Sequence, residues 1–147
     1  MSLQQWLANG WLKKHKTRQA EVENLFGIVD RDLPDARENH ISADWRFGIA
    51  YNAALKLCTI LLAAEGYRPE KALQHYRTIQ ALPLILGSAR SSDATYLDAC
   101  RAKRNTVEYD YAGGATDADA DELIEFAAGL RAAVVKWLQG KHPGLMP

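Results

Sequence analysis

Apolar positions recur at steps of three and four along nearly the whole 147-residue chain, in runs separated by polar or glycine-bearing breaks. That spacing puts each run on one face of a helix. Leu3, Trp6, Leu7, Trp11 and Leu12 predict a short amphipathic helix, weakened at Asn9-Gly10. Val22, Leu25, Phe26, Val29 and Leu33 predict a second, failing at Pro34, where an amide hydrogen is lost. Asp35 to His40 is polar and predicts a connection.

Ser42 can cap the next helix, with Asp44 in its first turn suited to the helix dipole, and Gly66 stops it after Glu65. Between them Trp45, Phe47, Ile49, Tyr51, Leu55, Leu57, Cys58, Ile60, Leu61 and Leu62 cover most of the circumference. A helix apolar almost all round is central, or is covered by a partner. Arg68-Pro69-Glu70 predicts a restart with proline at the first helical position. The stripe of Leu73, Tyr76, Ile79 and Leu82 follows, with His75 beside it, until Pro83 bends or ends it. Ser91 or Ser92 can cap a helix ending before Gly113-Gly114. Thr116 to Asp121 caps a last helix carrying Leu123, Phe126, Ala127, Leu130, Val134 and Trp137.

No run alternates with period two, and no hairpin dipeptide joins two such runs. The expectation is an all-α fold: an up-and-down bundle of four long helices with an additional short N-terminal helix. It forms a single domain over residues 1–147, with its core at about 17–138.

Composition narrows the function. Lysine and arginine total 18 and so do the acids, so no global field draws the chain to nucleic acid or membrane, and anion binding needs a local cluster. Cys58 and Cys100 lie in apolar runs without a ligand partner at metal spacing, which predicts buried reduced thiols. The first 16 residues lack an apolar signal core, and Asn52 and Lys56 interrupt the most apolar stretch. A cytoplasmic protein is expected.

No phosphate loop, dinucleotide fingerprint or zinc helix motif occurs, and the four histidines stand far apart. No metal and no cofactor are expected. Asp117, Asp119 and Asp121 alternate, but the glycine and glutamate of a calcium loop are misplaced, so they predict helix capping.

Strong polar chemistry interrupts an apolar seam at one place, between Leu97 and Tyr111. Leu97, Cys100, Arg104, Val107 and Tyr111 fall on one stripe with an arginine at its centre. A guanidinium cannot shed its charge, so Arg104 needs a carboxylate, a cavity, a partner subunit or an anion. Glu108 or Asp44 can pair with it and fix helix register. Alternatively Arg101, Arg104 and Asn105 bind phosphate, with Glu108, Tyr109, Tyr111, Asp44 and His75 nearby.

The layout from about Thr17 to Trp137 resembles the HEPN superfamily of small helical-bundle proteins. The likeness is carried by Ala50 to Leu55 of the long helix, its Ala64 to Arg68 ending, His75-Tyr76, and above all Arg104-Asn105. The family signature continues from an Arg-Asn pair to a histidine four to six residues on, often with a tyrosine two beyond. Tyr111 matches that tyrosine, and Tyr109 stands in place of the histidine.

The resemblance implies metal-independent ribonucleases that act as homodimers, often toxins beside a nucleotidyltransferase antitoxin that modifies the tyrosine. A phenol titrating near ~10 cannot exchange protons at neutral pH as an imidazole does. The expectation is therefore a module that binds RNA, a nucleotide or a protein partner without efficient cleavage. The alternatives are a working ribonuclease using Arg104 with Tyr109 or His75, and a purely structural dimer.

Overall fold

The computed structural model describes residues 1–147 and is all-α apart from one small ribbon. In chain order the elements are α1 (Leu3–Ala8), β1 (Leu12–Lys14), α2 (Gln19–Ala36), α3 (Ala43–Ala64), β2 (Tyr67–Pro69), α4 (Gln74–Leu86), α5 (Ser91–Tyr109) and α6 (Asp117–Lys141). Side-chain caps set three of the helix starts. Ser42 accepts from the Trp45 amide at 3.2 Å. Ser2 with Gln5, and Thr116 with Asp119, form reciprocal capping boxes.

The 22-residue α3 organises the rest. It packs against α2 and α6 on one side and against α4 and α5 on the other. Residues 60–64 are all buried, and Phe47, Tyr51, Leu57 and Cys58 are sealed higher up the helix. Its length and hydropathy would suffice to cross a membrane, but its apolar surface is spent on its neighbours. One cluster running from Val22 to Leu138 forms the main core. Burial pushes the Cys58 thiol up to about 12 and that of Cys100 up to about 11, so both are neutral and unpaired.

Three local expectations are corrected. The N-terminal helix stops at Ala8, because Gly10 at φ +78° turns the chain, and Leu12 enters a strand instead. That strand pairs antiparallel with Tyr67–Pro69, Leu12 opposite Pro69 and Lys14 opposite Tyr67, so Pro69 ends a strand rather than starting a helix. Helix α4 begins only at Gln74, after Leu73 in the left-handed region at φ +56°. The ribbon lies over a satellite cluster of Trp6, Leu12, Leu62 and Ala81. Finally, Pro34 does not end its helix, and of the bend or end expected at Pro83 the end does not occur. Pro34 and Asp30 are both exposed, so water can serve the carbonyl that the proline frees.

The buried cation of the fold is Arg46. Its Nε donates to the Ala36 carbonyl at 2.8 Å, Nη1 to Asp117 at 3.0 Å, and Nη2 to Asp121. One guanidinium thus ties the end of α2 and the starts of α3 and α6 together. Asp119 alone of the three aspartates caps α6. The Thr116 amide and Lys103 at 2.9 Å hold its carboxyl down to about 2.

Arg46→Ala strips the Ala36 carbonyl of its partner and returns two aspartates to water. Denaturant unfolding should show a loss of about 3 kcal/mol, the upper end for charged hydrogen bonds.

Candidate functional site

The seam of α5 starts in the core and surfaces along its length. Leu97 and Cys100 are buried, Arg104 and Val107 are half-buried, and Tyr111 lies exposed beyond the end of the helix. Arg104 therefore meets solvent as well as the core. Its Nε pairs with Glu108 at 2.7 Å, one turn on, and Nη1 reaches Asn105 at a long 3.4 Å. The guanidinium carbon lies 5.8 Å from the Tyr51 ring centre and 6.0 Å from that of Tyr109.

A cleft of about 270 Å³ opens beside it, between the start of α3 and the second half of α5. Ser42, Asp44, Trp45 and Gly48 form one wall, and Arg104, Val107, Glu108 and Ala112 the other. Asp44, a possible partner for Arg104, is engaged elsewhere. It accepts the Gly113 amide at 2.7 Å and the Ala115 amide at 3.0 Å, fixing the loop that closes the cleft. Glycine is required twice in that loop. Gly113 sits at φ +85°, and a Cβ on Gly114 would come within 2.5 Å of Val107 Cγ1, next to the Tyr111 ring. Three aromatic side chains stand out at this end of the molecule: Trp45 at 62% exposure, Tyr109 at 71% and Tyr111 at 60%.

On the α4 side of Arg104 a second group gathers. Arg101 pairs with Asp98 of its own helix at 2.8 Å. Partial burial, then the charges of Arg104, Lys56 and Arg101, hold the His75 ring below its ordinary value. The Tyr51 hydroxyl is buried and has no hydrogen-bond partner. Burial raises its pKa, and Arg101 and Arg104 only partly offset that, so it stays a neutral O–H donor.

The residues singled out in the sequence therefore divide between two adjoining surfaces. Arg104, Glu108 and Asp44 belong to the cleft, with Tyr109, Tyr111 and Asn105 exposed around it. Arg101 and His75 belong to the α4 side. Trp45, Tyr51 and Lys56 join them without having been singled out. In sequence Trp45 and Tyr51 both belong to the apolar girth of α3, and only the placement of its neighbours separates an exposed ring from a buried one. The chain matches no protein-family model, no curated protein and no solved structure.

Two outcomes follow from this geometry. The Arg104–Glu108 pair is partly exposed and local to one helix, so Arg104→Ala should change unfolding free energy by less than about 1 kcal/mol. The His75 ring should titrate below 6.5 in an NMR pH series. Because the unfolded ring binds a proton more readily, acidification through that range costs stability, and His75→Gln should remove this cost.

Proposed function

We propose that this chain is a cytoplasmic HEPN-like module, its helices in up-and-down order, that holds single-stranded RNA or a nucleotide in the Arg104 cleft without cleaving it efficiently. The observation that carries the reading is the exposed aromatic set, Trp45, Tyr109 and Tyr111, around an arginine whose one carboxylate partner is a glutamate of its own helix. Unpaired bases stack on such rings regardless of sequence, while a guanidinium takes the phosphate between them. A paired duplex offers no free base faces to this surface.

Tyr109 at the histidine position supports weak or absent cleavage, since a phenol at neutral pH neither accepts nor releases a proton readily. The same exposed rings suit a homodimer in which two clefts face each other. Tyr111 presents the phenol that a nucleotidyltransferase partner would modify. A second reading, a dimeric ribonuclease, is favoured by one observation: the His75 ring lies within electrostatic reach of Arg101 and Arg104.

Fluorescence anisotropy with a short labelled RNA in chelator separates these readings. Wild type should bind and leave the strand intact. Arg104→Ala should weaken binding roughly 10- to 100-fold, the worth of a charge-assisted bond of about 1.5–3 kcal/mol. Trp45→Ala should weaken it by a comparable factor through lost stacking of about 1–3 kcal/mol. Cleavage that disappears in Arg104→Ala would establish the ribonuclease. Absence of any binding would leave Arg104 a packing residue.

A further inference from the structure

The Tyr51 hydroxyl is the one buried side-chain polar atom in the fold without a partner. A phenylalanine there would fill the same volume at lower cost, because a bare buried hydroxyl forfeits its hydrogen bonds to water. The residues around it do not supply what it lacks. Of the charged groups that act on the phenol, Arg101 and Arg104 are donors only, and the one carboxylate, Asp98, is already engaged by Arg101. Each arginine is held by one carboxylate of its own helix, Asp98 or Glu108, with roughly a quarter to a third of each side chain exposed. Pairs of that kind are weak and exchange readily. The junction of α3, α4 and α5 therefore gathers donors and positive charge with too few free acceptors.

We propose that this junction is a phosphate site, formed by the Tyr51 hydroxyl, the Arg101 and Arg104 guanidiniums and the His75 ring, and that it takes the terminal phosphate monoester of an RNA strand or nucleotide. A monoester at neutral pH carries close to two negative charges and three acceptor oxygens. It can accept from Tyr51 and both arginines at once, whereas an internal diester offers one charge and fewer free oxygens. Arg104 belongs to both surfaces, so the terminal phosphate sits beside the cleft in which the following base stacks. The oxyanion site stands on the unpartnered hydroxyl and the arginines beside it; only its assignment to an RNA or nucleotide end rests on the function proposed above.

His75 links the site to pH. Arg104 and Arg101 face it from α5 and Lys56 from α3. The Tyr51 phenol stays neutral, and Asp98, the carboxylate on this side, is engaged by Arg101. A bound dianion supplies the counter-charge that His75 lacks, so its protonation and phosphate binding reinforce each other.

The test uses thermal melts of the whole chain with inorganic phosphate, against chloride at matched ionic strength. Phosphate should raise the melting temperature of wild type, and Tyr51→Phe should lose most of that rise. Without phosphate, Tyr51→Phe should melt at the same temperature or higher, which shows that it folds. The phosphate effect should be larger in wild type than in His75→Gln at pH 6 and the same in both at pH 8. Equal phosphate stabilisation of wild type and Tyr51→Phe, or none in either, would overturn the site.

Two RNA arms then identify the source. A strand ending in a phosphate should bind wild type at least several-fold more tightly than the same strand ending in hydroxyls, and Tyr51→Phe should erase the difference. Equal binding of the two strands would overturn the assignment to a strand end. A phosphate effect that needs Tyr51, with neither RNA bound, would uphold the site and reject the RNA-binding cleft.

Discussion

A helix that is apolar around nearly its whole circumference must be enclosed, and most of this structure follows from enclosing α3. Helices α2 and α6 cover one side, and α4 and α5 the other. Burial at about 25 cal/mol per Å² of apolar surface makes that enclosure the largest favourable contribution to the fold. It also dictates where polar groups can exist. Those on α3 must be matched by a neighbour, as Asn52 is by Asp32 at 2.7 Å, or must lie where the cover thins. The cover thins at the N-terminal end of α3, where Trp45 stands in solvent, and along the seam with α5, where Arg104 surfaces.

Two arginines show what this constraint does to a charge. Arg46 is only 8% exposed and is met by a carbonyl and two carboxylates from distant parts of the chain. Each of its three nitrogens has a partner within the chain, and its charge is matched by two carboxylates. Arg104 keeps one carboxylate, four residues along its own helix, and faces a cleft. The first arrangement fixes helix positions. The second leaves a cation with donor capacity to spare, next to aromatic rings and beside a buried hydroxyl that has no partner. Residue type is the same in the two cases, and the surroundings decide the role.

The helical character was legible because periodicity and capping act locally. Ser42 and Thr116 cap the helices that their sequence contexts imply, and the all-round apolar pattern marked α3 as central. The ribbon was not legible: three residues per strand are too few to establish alternation, and Leu12 continues the helical spacing of Trp6 until Gly10 breaks it. The Arg46 clamp was hidden for a different reason. Its partners lie 71 and 75 residues away, and in sequence Asp117 and Asp121 look the same as Asp119, which does cap the helix. The Arg-Asn stretch drew attention to Arg104 through local pattern alone. The exposure of Trp45 and the isolation of the Tyr51 hydroxyl depend on tertiary packing and carry no signal in the order of residues.

The central claim is that the surface around Arg104 is where this molecule meets its ligand. The most direct measurement is a residue-by-residue NMR titration of the whole protein with a short single-stranded RNA. The account predicts progressive shifts concentrated at the Trp45 indole, the Arg104 side chain, Tyr109 and Ala112, with the Arg46 guanidinium unmoved. Shifts centred on the basic Lys13–Lys16 segment at the far end of α3, or spread evenly over the surface, would contradict it.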